Sequence, residues 1–302
     1  MGDAAAYHTT VLLTEAVDGL AVKQDGVYVD ATFGGGGHSR RILSLLGPAG
    51  KLIAFDHDAD AWRNRPEDER LIAVQENFRY LQRFLRLHGY TAVDGILADL
   101  GVSSFQFDTA ERGFSIRYDG PLDMRMDRRL EQTAAGVLQT YSEAQLHRLF
   151  EQYGEVRNAR QLARHIVQHR GAAPLQTIGA LKALAAPVMK GNPNRYLAQV
   201  FQALRIEVNE EMEALKDFLR QAAQCLAPGG RLSVITFHSL EDRIVKQFMK
   251  RGKWEETTQA FAASPEKPPL RPAYPKPVMP AAEEIKNNPR ARSARLRVAE
   301  KI

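Results

Sequence analysis

The run Val27-Tyr28-Val29-Asp30-Ala31-Thr32-Phe33-Gly34-Gly35-Gly36-Gly37-His38-Ser39 constrains the fold of this chain more than any other segment. Residues 27–32 are apolar and β-branched enough to read as a short strand, and the periodicity that follows the glycines reads as a helix through Leu46. A strand turned sharply into a helix through glycines lets backbone approach a ligand closely. Glycine carries no Cβ to collide with the ligand, and it reaches the positive φ that such a turn requires. Gly47-Pro48-Ala49-Gly50 stops the helix, residues 51–56 read as the next strand, and Asp56 ends that strand 20 residues after Gly36. A carboxylate so placed can accept hydrogen bonds from both hydroxyls of a ribose. An ordinary tight turn before a surface acid would share the glycines. The full order of strand, glycines, helix, strand and terminal acid points instead to an adenosine-containing ligand.

The spacing then discriminates among cofactors. A dinucleotide fingerprint needs Gly-x-Gly-x-x-Gly, and counting from Gly34 and Gly36 the third position is Ser39. No Gly-Lys-Ser or Gly-Lys-Thr follows to hold phosphates and magnesium, which disfavours a nucleoside triphosphate. Asp30, Gly34 and Gly36 resemble the Asp-x-Gly-x-Gly-x-Gly loop of class I S-adenosylmethionine methyltransferases, with Thr32 where the first glycine usually stands.

Further strands are expected at 71–75 and 93–100, giving the βα rhythm of a parallel sheet. After residue 110 the pattern becomes helical, as over 141–153 and 159–169. Strand character resumes beyond a helix that Asn209 can cap and that Pro228-Gly229-Gly230 ends. Residues 231–237 form the next expected strand. Seven of the fifteen prolines fall within 265–280, which is read as an extended loop, and 294–299 reads as a last strand beside 231–237. The expected architecture is an α/β, Rossmann-like sheet over 1–110 and 207–302, interrupted by a helical insert over 111–206. At 302 residues the chain is long enough for two such bodies. One cysteine, Cys225, precludes an intrachain disulfide; no apolar run is long enough to span a bilayer, and the first residues do not resemble a secretory signal. A reducing, cytoplasmic setting without membrane attachment is expected.

The end of the 93–100 strand, Asp99-Leu100-Gly101-Val102-Ser103-Ser104-Phe105-Gln106, would lie beside the glycine loop, at the strand ends where chemistry collects in open α/β sheets. Taken with His8-Thr9-Thr10-Val11-Leu12-Leu13, the loop from Asp30 to Ser39, Glu111-Arg112-Gly113-Phe114-Ser115, Asp119 to Asp127, Phe237 to Arg243 and Asn288 to Ser293, the chain resembles the MraW family from about Tyr7 to Lys301. Members of that family are bacterial methyltransferases acting on N4 of a cytidine in the decoding region of 16S ribosomal RNA. The resemblance implies that Gly36, Gly37 and His38 line the loop holding S-adenosylmethionine, that Asp56 holds its ribose, that Phe78 packs near adenine, and that Asp99 and Gln106 complete the pocket. Two departures stand out: Gly35 occupies a position often taken by arginine, and Phe105 one often taken by proline, which puts the shape of the loop before Gln106 in question.

An exocyclic cytosine amine is conjugated with its ring and is a poor nucleophile. Catalysis therefore rests on acceptors that polarise its N–H bonds and on alignment toward the sulfonium methyl. The base must also leave its stack, which favours single-stranded or remodelled RNA. The Asn/Asp/Ser-Pro-Pro-aromatic turn common in DNA amino-methyltransferases is absent, so DNA is not an expected substrate. The expected acceptor is Asp99 or the hydroxyls of Ser103 and Ser104, and His238, after the 231–237 strand, is a further candidate to reach the substrate. Glu241 and Asp242 read as structural acids opposing a helix dipole.

Residues 250–302 hold 12 Lys or Arg against 6 Asp or Glu, so the net +5 of the chain resides in its tail. Arg148, Arg157, Arg160, Arg164, Arg170, Lys190 and Arg195, with Asn192, Asn194 and Tyr196, are the insert's candidates for gripping RNA phosphates. Arg290, Arg292, Arg295 and Arg297 are the tail's, two of them expected only to flank the last strand. The histidines show no metal-ligand spacing, so no metal is expected. A nicotinamide-dependent dehydrogenase, a non-catalytic ribosome-assembly factor that keeps a cofactor pocket, and a methyltransferase with a small-molecule acceptor are the competing readings. The oligomeric state is left open.

Overall fold

The computed structural model describes residues 10–172, 174–254 and 268–302. His8 and Thr9 of the first sequence block, and the start of the proline-rich stretch at 265–267, lie outside the described residues. The chain forms two compact units, Met1–Gly101 with Met212–Ile302, and Val102–Glu211.

In chain order the first unit begins with α1 (Leu13–Gly19), β1 (Val27–Asp30), α2 (Gly37–Leu45), β2 (Lys51–Phe55), β3 (Leu71–Val74), α3 (Leu81–Leu87) and β4 (Val93–Asp99). The second unit holds α4 (Ser104–Asp108), α5 (Ala134–Thr140), α6 (Glu143–Gln152), α7 (Ala159–His169), α8 (Ile178–Ala185) and α9 (Pro193–Val208). The chain then returns to the first unit through α10 (Glu211–Cys225), β5 (Leu226–Thr236), α11 (Ser239–Arg251), β6 (Leu270–Pro272), α12 (Ala282–Asn287) and β7 (Arg295–Lys301).

The first unit is one seven-stranded sheet in the order β3-β2-β1-β4-β5-β7-β6, parallel from β3 to β5 and closed by antiparallel β7 and β6. Its strands read as continuous apolar runs because both faces are covered. Val29, Ile53, Ile96 and Val234 point to the face packed by Phe218 and Leu219 of α10 and Val245 and Phe248 of α11. Their neighbours Tyr28, Leu52, Leu97 and Ile235 point to the face packed by Ala16 and Val17 of α1 and Ile42 of α2. Each such fully buried aliphatic or aromatic side chain contributes about 1.5–3 kcal/mol. Within the described residues, no helix is long and apolar enough to cross a membrane.

Three expectations change. The boundary between units falls at Gly101/Val102 and Glu211/Met212 rather than at 110 and 207, because Val102 and Phe107 pack into the core of the helical unit. Helix α10 ends at Cys225 instead of running to Pro228, and β5 starts at Leu226 with a register irregularity opposite Val93 and Gly95 that accommodates Pro228-Gly229-Gly230. The proline-rich stretch contributes a three-residue strand, β6, at the sheet edge, where proline's missing N–H does least harm.

The helical unit has its own core, with Val200, Phe201, Ala203 and Leu204 of α9 among residues from α5 to α8. The stretch between α4 and α5, which forms no α-helix, is fastened from inside. Arg112, 2% exposed, donates to the carbonyls of Arg125 and Met126, and Met124, just before them, adopts a left-handed backbone (φ 63°). Asn209 does not cap α10. It closes the end of α9, and its buried amide accepts from Met126 N at 2.7 Å and donates to the carbonyls of Met124 and Arg205 at 2.8 and 2.9 Å. Replacing a buried amide that satisfies three backbone groups leaves those groups unpaired. Asn209→Ala is expected to destabilise the helical unit by about 3 kcal/mol, read as a lower urea midpoint with the sheet's far-ultraviolet signal retained to higher denaturant.

Candidate functional site

The site is assembled where β1, β2 and β4 end. Asp30, the last residue of β1, is fully buried: its Oδ2 accepts from Ser39 Oγ of α2 at 2.6 Å and its Oδ1 from Thr32 N at 3.1 Å. One carboxylate thus ties the end of the strand to the start of the helix across the glycine turn. Burial pushes its pKa up to about 6, opposed by the Ser39 and Thr32 hydrogen bonds and reinforced by the charge of Asp56. Thr32, standing where a glycine was the usual residue, has a cross-strand role: its Oγ1 accepts from Asp99 N at 2.7 Å and so links the ends of β1 and β4.

Within the turn, Gly34 and Gly36 have φ values of 52° and 76°, which disfavour any residue with a Cβ. A Cβ on Gly36 would also sit 2.8 Å from the Phe33 ring, which is itself stacked on Trp62 at 4.7 Å. A Cβ on Gly35 would meet nothing within 4 Å, so the arginine that often occupies this position in the resembled family would find open space. Asp56 is held against the turn by Gly34 N, which donates to its Oδ2 at 2.8 Å, and its Oδ1 accepts from Asp58 N.

Asp99 ends β4 with its side chain 23% exposed, yet its Oδ1 is sealed from solvent without a hydrogen-bond partner. Burial, then the charges of Asp30, Glu241 and Glu284, hold its carboxyl well above the usual range. His38 is 4% exposed, and its Nδ1 lies 3.8 Å from Asp99 Oδ2. Burial lowers the imidazole to about 4 against the Val11 carbonyl, which raises it, so near neutrality His38 is uncharged and the pair is no salt bridge. The result is a cup lined by acids, in which no cation among the described residues pairs with Asp99.

Glu284 and Glu241 were not anticipated here. Glu284 Oε1 accepts from Leu12 N at 2.8 Å and so fixes the left-handed residue (φ 50°) that precedes α1. Nothing in the local pattern around Glu284 signals this, because the contact closes a separation of 272 residues. Glu241 is buried at the start of α11; its Oε2 accepts from Phe237 N and His238 N, and its Oε1 lies 3.1 Å from His238 Nε2. His238 Nδ1 accepts from Glu241 N at 3.4 Å, so this histidine caps its helix. Asp242 opposes the helix dipole and also binds Arg295 at 3.0 Å and Arg297 at 2.7 Å, which engages two of the four tail arginines in the structure of the sheet. Phe78 meets Phe218 edge to face at 5.2 Å on the sheet core.

Ser103, Ser104 and Gln106 fall in the helical unit. Ser103 Oγ accepts from Gln106 N at 3.2 Å and Gln106 Oε1 accepts from Ser103 N at 3.0 Å, a reciprocal cap on α4 that the sequence reading did not foresee. Phe105 leaves this cap intact, because the cap is made by the N–H groups of Ser103 and Gln106 and not by that of residue 105. Among the insert's candidates, Arg170 donates to the carbonyls of Leu138 and Tyr141, Asn192 caps α9 and Tyr196 is buried; these serve the unit's own structure. Arg148, Arg157, Arg160, Lys190 and Arg195 remain exposed.

The sheet order, the glycine turn between β1 and α2 and the acid ending β2 define a class I S-adenosylmethionine-dependent methyltransferase. The chain belongs to the MraW methylase family, whose model matches residues 5–302. It is similar to proteins named ribosomal RNA small subunit methyltransferase H. That of Flavobacterium johnsoniae is 53% identical over 98% of this chain and 98% of its own. That of Bacteroides thetaiotaomicron is 52% identical over 99% of each.

Two measurements test the turn. Gly36→Ala should lower the thermal midpoint and weaken donor binding at least tenfold, since it adds left-handed strain of about 1–2 kcal/mol to the clash with Phe33, whereas Gly35→Ala should stay within about 0.5 kcal/mol of wild type. Asp30, raised in the folded state, contributes stability that is fully present below its ordinary pKa of 3.8 and is lost as pH rises through about 6. Asp30→Asn should therefore flatten the fall of the thermal midpoint across that window, where two pKa units correspond to roughly 3 kcal/mol.

Proposed function

We propose that this chain transfers the methyl group of S-adenosylmethionine to N4 of a cytidine in the decoding region of 16S ribosomal RNA. The observation that carries the reading is the anionic cup around Asp99, in a chain of the MraW methylase family. A sulfonium nucleoside is a cation whose ribose and backbone need an acid and an open glycine turn, and the residues present fit it. Asp99 Oδ1 is sealed and unpartnered, Asp30, Glu241 and Glu284 add negative charge, and a Cβ at Gly35 would fill empty space. When bound, the donor supplies an electrophilic methyl.

The chain's own residues do the rest. In this reading Gly36, Gly37 and His38 line the donor, Asp56 accepts from its ribose and Phe78 packs toward its adenine. Gln106 is proposed to support the same ligand and the helical insert to recognise RNA through its exposed arginines. Asp99 is the proposed acceptor for the cytosine amine, orienting the lone pair toward the methyl and drawing charge from the N–H bonds as nitrogen becomes positive. Ser103 and Ser104 are the alternatives. His238, engaged with Glu241, acts by positioning.

The decisive experiment incubates the protein and labelled donor with small ribosomal subunits from a strain lacking the enzyme, then maps the label. Label on N4 of one cytidine in the decoding region is expected; label elsewhere or none would overturn the reading. Asp99→Ala should lower the single-turnover rate by 10²- to 10⁴-fold with donor bound, while an unchanged rate there and a loss in Ser103→Ala or Ser104→Ala would move the acceptor role to the hydroxyls.

Charge also sets a pH signature. Asp99 is held neutral above the usual carboxylate range, so a cation arriving beside it favours the ionised form and releases a proton. Affinity for S-adenosylmethionine should rise as pH rises above the ordinary carboxylate range, and that for S-adenosylhomocysteine, which lacks the sulfonium charge, should rise much less. Calorimetry in buffers of different ionisation enthalpy reads both quantities.

A further inference from the structure

Away from the donor site, the sheet edge formed by α11, β6 and β7 carries a groove of about 280 Å³ whose lining includes Lys246, Lys250 and Lys276 with Tyr274. The three lysines are exposed, and Tyr274 is 42% exposed. Arg243, Lys246 and Lys250 follow one another at helical spacing of three and four residues, a stripe that begins at the first turns of α11, where Glu241 joins the cup, and runs away from it. Among the described residues, none of the three lysines is in an ion pair, and the acids nearby are already neutralised: Asp242 by Arg295 and Arg297, and Glu300 by Arg231 and Arg271. Like charges one turn apart on a helix repel. A surface that keeps them together, beside an exposed aromatic ring and over the apolar floor of Met249 and Val298, has the composition of a single-stranded nucleic-acid track, in which cations follow the phosphates and a ring stacks a base.

We infer that this groove binds the phosphodiester backbone of single-stranded RNA leading away from the target nucleotide, with one base stacked on Tyr274. The inference rests on the proposed RNA substrate and adds a second contact surface, on the sheet-bearing unit, to the one proposed for the helical insert. Lys246, Lys250 and Lys276 would each neutralise a phosphate. Arg297 also lines the groove, but its guanidinium is engaged by Asp242 and it serves as part of the wall.

The test uses the full chain, a fluorescein-labelled single-stranded RNA of mixed sequence, and affinities measured across a salt series. With Lys246, Lys250 and Lys276 all changed to Gln, the slope of log affinity against log salt should fall by about 2, and the affinity at low salt should fall with it. Tyr274→Ala should weaken binding roughly tenfold with the slope unchanged, because stacking releases no counterions. Both variants alter exposed side chains and should keep wild-type affinity for S-adenosylmethionine and a wild-type thermal midpoint. Wild-type RNA affinity and slope in the triple variant would overturn the groove alone, as would a loss of RNA binding accompanied by a loss of donor binding. Failure of the wild type itself to bind the RNA, with donor binding intact, would overturn the RNA reading and the groove together.

Discussion

The Asp30 carboxylate is the tie at the centre of the glycine turn. Its hydrogen bonds to Ser39 Oγ and Thr32 N join the end of β1 to the first turn of α2, and the Gly34 N contact to Asp56 and the Arg40 contact to the Gly35 carbonyl fix the path of the glycines between them. The tie has an electrostatic cost, since a buried carboxylate resists ionisation, and Asp99 carries the same cost from its own burial, to which the charges of Asp30, Glu241 and Glu284 add. The tie also explains why Thr32 can replace a glycine: with the strand end pinned, a hydroxyl at that position reaches Asp99 N.

Much of this was legible in the chain. Strands buried on both faces announce themselves as apolar runs, and β1, β2, β3 and β4 lie within a residue or two of where the pattern puts them. Glycine and proline mark the turns. The sequence could not show engagements closed over long separations: Glu284 against Leu12, Asn209 against Met124 and Met126, and Arg295 and Arg297 against Asp242. Asn209 is instructive, because an Asn before a helix is a good cap in isolation, yet here the amide is worth more to three buried backbone groups. Ser103 and His238, both noticed as chemistry-bearing side chains, are also helix caps, a role that uses the same lone pairs.

The helical unit is organised around the sequence blocks at 111–115 and 119–127. Buried Arg112 holds two carbonyls, Asp123 and Arg125 pair at 2.7 Å, and Met124 takes a backbone conformation that a long side chain adopts only at a cost. Those blocks therefore have a structural reason to be as they are, independent of any contact with substrate. The exposed arginines on the surface of α6 and α7 are a separate matter, since no packing demand accounts for them.

Strand β7 lies between β5 and β6, and the carboxylate that steadies the entry to α1 arrives on α12, across a separation of 272 residues. The edge of the sheet and the start of its first helix are therefore closed by segments far apart in the chain, and contacts of such high sequence separation carry a large loop-closure entropy and slow the folding of this unit.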